Sequence, residues 1–223
     1  MFFIVAAAGV GKRMGLDYPK QFLEIDGKPI FIKTLEVIEK SEIVEGIIVV
    51  TNGEYISKVE ELCGNFGITK VKKVVGGGKE RQDSIYNALL QIPKNTLVGV
   101  QDGVRPFIEE RYISDSYNKL MSESQLDGIV IGVPVKDTIK IVDENGKIIE
   151  TPNRATLFAA QTPQIFRSEI LRESYEKAKK EKFLGTDDSS LVERLGGNIE
   201  FLVGSYENIK ITTPEDLIFL KKN

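Results

Sequence analysis

Phe2-Phe3-Ile4-Val5-Ala6-Ala7-Ala8-Gly9-Val10-Gly11-Lys12-Arg13-Met14-Gly15 passes from an apolar, β-rich run into a turn of small residues and then into two adjacent cations. A continuous apolar run ending in small residues reads as a buried strand that delivers a tight strand-to-helix turn, the unit of an α/β fold with a mostly parallel sheet. Backbone N–H groups in such a turn approach phosphate oxygens closely. Two familiar loop patterns do not fit. A Walker A loop needs glycine where Ala6 stands and Ser or Thr where Arg13 stands, and a dinucleotide fingerprint needs glycine in place of Met14. Nor does Thr51-Asn52-Gly53, after the second strand, offer an acidic ribose clamp. Taken alone, Gly9-Val10-Gly11 also reads as a turn with no ligand.

The same alternation continues outward. β-rich runs at 2–7, 46–51, 71–75, 97–101 and 128–133 are separated by helical periodicity at 29–38, 54–66 and 80–90. Between 137 and 154 the pattern breaks: Ile139-Lys140-Ile141-Val142 and Lys147-Ile148-Ile149-Glu150 flank Asp143-Glu144-Asn145-Gly146, a hairpin signal. This hairpin either projects as an arm or lies at the edge of the main sheet. Helices are predicted at 168–182 and 187–195, a strand at 199–203, and a closing helix that Thr213 caps, Pro214 opens and Glu215 and Asp216 support at its positive end. With no repeat or linker, residues 1–223 read as one domain, with 137–154 as a β-arm within it.

Composition bounds the chemistry. The 223 residues include no histidine and one cysteine. This excludes Ser-His and Cys-His nucleophilic pairs, an imidazole base, His-ligated zinc and an intramolecular disulfide. Thirty basic against 33 acidic residues give a net charge of −3, which argues against nucleic acid or a membrane surface as a partner. The apolar opening lacks a basic leader, and no apolar run approaches the roughly 20 residues that span a bilayer, so a cytoplasmic location is expected.

Several segments carry candidate chemistry. Lys12, Arg13 and Lys20, the last presented by Tyr18-Pro19-Lys20-Gln21, bring three cations to the end of the first strand and read as a triphosphate site or a solvated loop. Asp102 follows an apolar strand at the edge where ligands bind in open α/β sheets, and a lone carboxylate completed by phosphate oxygens and water suits Mg²⁺. Arg105 beyond it either clamps a phosphate or pairs with Asp102. Gly76-Gly77-Gly78-Lys79-Glu80-Arg81-Gln82-Asp83-Ser84 offers main-chain groups and a hydroxyl to a flat ligand. Strand periodicity puts Lys136, Thr138 and Lys140 on one face, and Arg154 and Lys210 add two further cations. Cys63, on a helical stripe, reads as inert packing.

These segments stand in one order along the chain: 6–14, Pro19-Lys20-Gln21, 77–84, 102–106, 134–140, Thr162-Pro163-Gln164, Thr186-Asp187-Asp188 and 208–217. In that ordered set the chain resembles the 2-C-methyl-D-erythritol 4-phosphate cytidylyltransferases over essentially its whole length. The resemblance implies a Rossmann-like fold of nucleotidyltransferase type, flanked by helices, with a projecting β-hairpin arm. It implies that the chain transfers CMP from CTP to a phosphorylated polyol, 2-C-methyl-D-erythritol 4-phosphate, in the non-mevalonate route to isoprenoid precursors, with Mg²⁺ on Asp102. Arg13 and Lys20 would stabilise the transition state, Ala7, Ala8, Gly9 and Gly11 would receive the nucleotide, and Gly78 and Ser84 would read cytosine. Arg105, Thr138 and Thr162 would contact substrate, and Arg154 and Lys210 would position the acceptor. It further implies a homodimer in which the arm of one subunit, with Thr138 and Arg154, closes the acceptor site of the other. Family members usually place histidine before the metal-binding aspartate and alanine after it, where this chain has Gln101 and Gly103. A ribitol 5-phosphate cytidylyltransferase and a catalytically silent nucleotide-binding interaction domain are the alternatives on the same fold.

Overall fold

The computed structural model describes residues 1–9, 14–15 and 17–221, with the backbone alone at 220 and 221. These residues build a seven-stranded sheet from β1 (Phe2–Ala7), β4 (Gly46–Thr51), β5 (Val71–Gly76), β6 (Leu97–Asp102), β7 (Gly128–Pro134), β10 (Phe158–Arg167) and β11 (Ile199–Val203), in the order β11-β7-β10-β6-β1-β4-β5. Neighbours are parallel except β10, which runs antiparallel to both β6 and β7. All six residues of β4 and of β6 are buried, the pattern expected of central strands covered on both faces. A short hairpin, β2 (Glu24–Ile25) with β3 (Lys28–Pro29), precedes the first helix.

Side-chain alternation along β1 sorts the helices into two layers. Phe3, Val5 and Ala7 face α1 (Ile30–Lys40), α2 (Ile56–Asn65) and α4 (Glu110–Ser122), through Phe31, Leu35, Val59 and Tyr112 among others. Ile4 faces the opposite way, with Val98, Val100 and Phe166, toward α3 (Arg81–Leu89), α5 (Ser168–Glu181) and α6 (Asp188–Leu195). No described helix is long and apolar enough to cross a membrane.

The predicted strands and helices are present; beyond the β2–β3 hairpin, which the sequence pattern does not predict, four differences stand out. Helix α4 is an addition: its buried stripe is Tyr112, Ile113, Ser116 and Leu120, too polar to stand out in sequence. Strand β10 is another, hidden because Pro163 and three polar residues interrupt it; a register shift between Ala160 and Gln164 accommodates that stretch within the sheet. Main-sheet pairing ends at Pro134, so residues 136–140 are not a strand and the expected one-sided face of Lys136, Thr138 and Lys140 does not form. The closing helix is a 3₁₀ segment, Pro214–Lys221, rather than an α-helix. There the Asp216 carboxylate gathers the N–H groups of Thr212 and Thr213 at 2.7 and 2.9 Å.

The hairpin forms a sheet of its own, β8 (Ile141–Val142) with β9 (Ile148–Glu150), outside the seven-stranded one. Its turn is held by Asp143, whose carboxylate accepts from the N–H groups of Asn145 and Lys147, while Gly146 takes the left-handed conformation at φ 80°.

Candidate active site

Strand β1 has β4 on one side and β6 on the other, so connections leave it in opposite directions and a crevice opens at the carboxyl ends of the strands. A cavity of about 630 Å³ occupies that crevice. Its wall comprises Ala6 to Gly9 after β1, Asn52 after β4, the turn from Gly77 to Arg81 after β5, Ser84 on α3, Asp102 at the end of β6, and Lys20, Gln21, Val104, Lys210 and Thr212 from the surrounding loops.

Backbone hydrogen bonds lock these strand ends together. The Gly103 N–H donates to the Ala6 carbonyl at 2.9 Å, and the Gly77 N–H to the Thr51 carbonyl at 2.7 Å. The Ala7 carbonyl accepts from Gln21 Nε2 at 2.6 Å and from the Thr51 hydroxyl at 3.3 Å. In the glycine turn, the Gly78 N–H donates to Ser84 Oγ at 2.9 Å, and that hydroxyl donates to the Glu80 carbonyl at 3.0 Å. A Cβ at position 78 would lie 2.3 Å from Asp83 Cβ, so the turn packs onto its own helix only with glycine there. Glu80 and Asp83 cap α3 reciprocally.

Asp102 is the electrostatic centre. Its carboxylate lies 2.9 Å from Lys210 Nζ, 3.5 Å from Arg105 Nε and 3.8 Å from Arg81 Nη2. Burial opposes its ionisation, but the charges of Lys210, Arg81 and Arg105 prevail and hold its carboxyl below the ordinary carboxylate range. Its backbone N–H donates to the Thr162 hydroxyl at 3.1 Å. Three cations against two carboxylates, Asp102 and the Asp188 that pairs with Arg81, leave a net positive charge, which suits a polyanion. Lys20, on a short 3₁₀ turn after Pro19, donates from Nζ to the Ile211 carbonyl at 2.9 Å. A metal is accommodated in one way only. No group of three or more acidic or cysteine side chains that could hold one lies among the described residues, so a hard cation at Asp102 would take its other ligands from phosphate and water, as Mg²⁺ does.

Of the predicted site residues, Ala7, Ala8, Gly9, Lys20, Gly78, Ser84, Asp102 and Lys210 line the cavity. Gly11 and Arg13 lie outside the described residues. Arg105 turns to Asp102 and to the Asn208 carbonyl at 2.6 Å, off the cavity wall. Thr162 stands behind Asp102, also off the wall. Thr138 and Arg154 are exposed on the arm, away from this cavity, and Arg154 Nη1 donates to the Lys136 carbonyl at 2.7 Å. Arg81 lies inside the glycine-rich motif but carries no signal of its own in the sequence. Only a folded chain brings it to Asp188, 107 positions away. Gln101, in the place of the family histidine, is buried; its Nε2 donates to the Asp102 carbonyl at 3.1 Å, and its Oε1 has no partner among the described residues. At Gly103, a Cβ would meet the Ala6 carbonyl oxygen at 3.0 Å, so alanine there requires a shift of a few tenths of an ångström.

Residues 1–221 match the family described as IspD: 2-C-methyl-D-erythritol 4-phosphate cytidylyltransferase. The protein of that name from Fusobacterium nucleatum is 47% identical over 220 residues, covering 98% of this chain and 94% of its own. Its counterpart from Geotalea uraniireducens is 48% identical over 219 residues, covering 96% and 92%. Among solved structures, the 4-diphosphocytidyl-2C-methyl-D-erythritol synthase of Anaerococcus prevotii DSM 20548 superposes with a TM-score of 0.85 at 30% identity, covering 98% of this chain and 93% of that one.

Proposed function

The chain belongs to the 2-C-methyl-D-erythritol 4-phosphate cytidylyltransferase family, and from that premise we propose how its residues carry out the transfer of CMP from CTP to 2-C-methyl-D-erythritol 4-phosphate. The products are 4-diphosphocytidyl-2-C-methyl-D-erythritol and pyrophosphate, in the non-mevalonate route to isoprenoid precursors. The observation that carries this reading is the cavity at the strand ends, where Lys20, Lys210 and Asp102 meet the glycine turn.

The acceptor is a phosphate monoester whose second pKa is about 6, so near neutral pH its oxygen is already an anionic nucleophile and no general base is needed. That oxygen forms a bond to the α-phosphorus as the bond to the bridging oxygen breaks, and pyrophosphate leaves with the electron pair. The protein's task is to bring two polyanions together and to neutralise charge that builds up as they react. Lys20 and Arg13 serve the transition state, the main chain at Ala7, Ala8, Gly9 and Gly11 receives phosphate, and Gly78 and Ser84 recognise the base. Lys210 and Arg154 orient the acceptor, with Thr138, Thr162 and Arg105 supporting it. When bound at Asp102, Mg²⁺ supplies charge neutralisation to the triphosphate.

The 1–223 chain works as one domain in the cytoplasm, and the 137–154 arm joins two copies. Thr138 and Arg154 lie off their own chain's cavity, which fits a role at the partner's acceptor site.

The test is pyrophosphate release from CTP and Mg²⁺ with methylerythritol phosphate, with ribitol phosphate and with no acceptor. Release with methylerythritol phosphate alone is expected, and release with neither acceptor overturns the reading. Lys20→Ala is expected to lose roughly 100-fold or more in kcat with little change in CTP affinity, because its contact strengthens as charge develops. A variant with normal kcat and a raised KM alone would contradict the assigned role.

A further inference from the structure

Behind the site lies a second carboxylate that no step above uses. We propose that Asp188 is a positioning residue for the cytidylyl transfer: gripping the Arg81 guanidinium from behind, it keeps that cation beside Asp102 and stops it from closing onto the Asp102 carboxylate. This rests on the functional reading just given.

Arg81 is the first residue of α3 and Asp188 the first of α6, so two helix starts meet under the glycine turn. Arg81 donates from Nη1 to Asp188 Oδ1 at 3.1 Å and from Nη2 to Oδ2 at 2.8 Å. Such a bidentate pair fixes the plane of the guanidinium as well as its position. Asp188 is wholly buried, while Arg81 reaches the cavity wall. The Tyr175 hydroxyl also donates to Asp188 Oδ1. Burial first, and then the charge of Asp188, raise that hydroxyl's pKa well above its ordinary value, so it remains a donor.

The grip has a measurable consequence at Asp102. Arg81 Nη2 stops 3.8 Å from Asp102 Oδ1, near enough to act as a charge but too far for a hydrogen bond. Arg105 is restrained in the same way, with the Asn208 carbonyl at 2.6 Å and Asp102 at 3.5 Å. Lys210 differs: among the described residues its ammonium pairs with Asp102 and with no other carboxylate. The carboxylate is thus flanked by two tethered guanidinium groups and one ammonium held by Asp102 itself. Remove the charge of Asp188 and the Arg81 guanidinium, left without its main counter-charge, turns to the next anion, Asp102, and occupies the group the reaction needs. The scaffold does not depend on this pair alone. Gln82 Nε2 donates to the Phe183 carbonyl at 3.0 Å, and Gln82 Oε1 accepts from the Gly185 N–H at 2.9 Å, so α3 stays joined to the segment before α6.

The experiment compares Asp188→Asn, Arg81→Ala and the double variant in the full chain. It measures pyrophosphate release, CTP affinity by calorimetry and melting temperature. Asp188→Asn is expected to lower kcat roughly 10- to 100-fold while CTP affinity moves less than about threefold, and to add nothing to the loss already caused by Arg81→Ala. A kcat within about twofold of the parent, losses that multiply, or a loss confined to CTP affinity overturns the proposal. Should Asp188→Asn not be recovered folded, Tyr175→Phe decides, since it removes one hydrogen bond from the same oxygen and keeps the ring stacked on Tyr86. A fall in kcat of about threefold that disappears in the Arg81→Ala background supports the proposal, and full kcat overturns it. An active parent with unaffected variants defeats this proposal alone, whereas a parent inactive with either acceptor defeats the functional reading and this proposal with it.

Discussion

At the scale of single residues, the cations around Asp102 remove its carboxylate from the pH response of the site near neutrality. Its folded-state pKa is depressed, so its contribution to stability is complete above the unfolded value of about 4 and is lost as pH falls through the folded value. Above about pH 5 Asp102 is therefore ionised, and the acid limb of activity belongs to the acceptor phosphate with its pKa of about 6. A plot of kcat/KM against pH is expected to fall about tenfold per unit below pH 6, and Asp102→Asn is expected to lower the plot without moving that limb. A limb that moves with the substitution assigns the titration to the protein. Asp102 and Lys20 were legible in the sequence because one ends an apolar strand and the other follows a proline-stiffened loop, whereas Lys210 stood out only as a further cation whose role the family resemblance supplied. Asp188 was not, because its meaning lies in a partner supplied by another helix. The Cys63 thiol bears out its reading as packing: burial, then Glu39 and Glu60, push its pKa to about 11, which leaves little thiolate at neutral pH.

At the scale of elements, the start of α6 does more than begin a helix. Asp187 caps it, accepting from the Ser190 N–H at 2.9 Å, and takes two further hydrogen bonds from Gln164 Nε2 at 2.7 Å and the Ser189 hydroxyl at 2.9 Å. Asp187→Ala is expected to cost about 1–2 kcal/mol, lowering the melting temperature by roughly 2–8 °C. Calorimetric scans check this, and an unchanged midpoint would show that the cap carries no stability. The elements that announced themselves in the sequence were those with one dominant period, such as β4 and α1. Those that did not had polar residues on their buried sides, Ser116 in α4 and Gln161, Thr162 and Gln164 in β10; the partners of the β10 groups, Asn208, Asp102 and Ser189, come from distant parts of the chain. The 136–140 segment erred the other way, since alternation in sequence creates a face only where a pairing strand exists.

At the scale of the whole molecule, the sheet brings four parallel strand ends together, while Thr138 and Arg154 on the arm stand apart from them. If each complete site takes Lys20 from one copy and Arg154 from the other, mixing the inactive Lys20→Ala and Arg154→Ala variants after subunit exchange is expected to restore about one quarter of the parental activity, because half the dimers are mixed and each mixed dimer has one intact site. No recovery on mixing would place both residues on one copy. The insertion of β10 between β6 and β7 has a bearing on synthesis. Strands β5, β4, β1 and β6 leave the ribosome first and have all their mutual partners, but the open flank of β6, Thr162 behind Asp102 and the Lys210 ammonium arrive much later in the chain. An unfinished chain therefore displays the glycine turn with Lys20, Arg81 and Arg105 in place but without Lys210, so the Asp102 carboxylate lacks its nearest cation until the last residues are made.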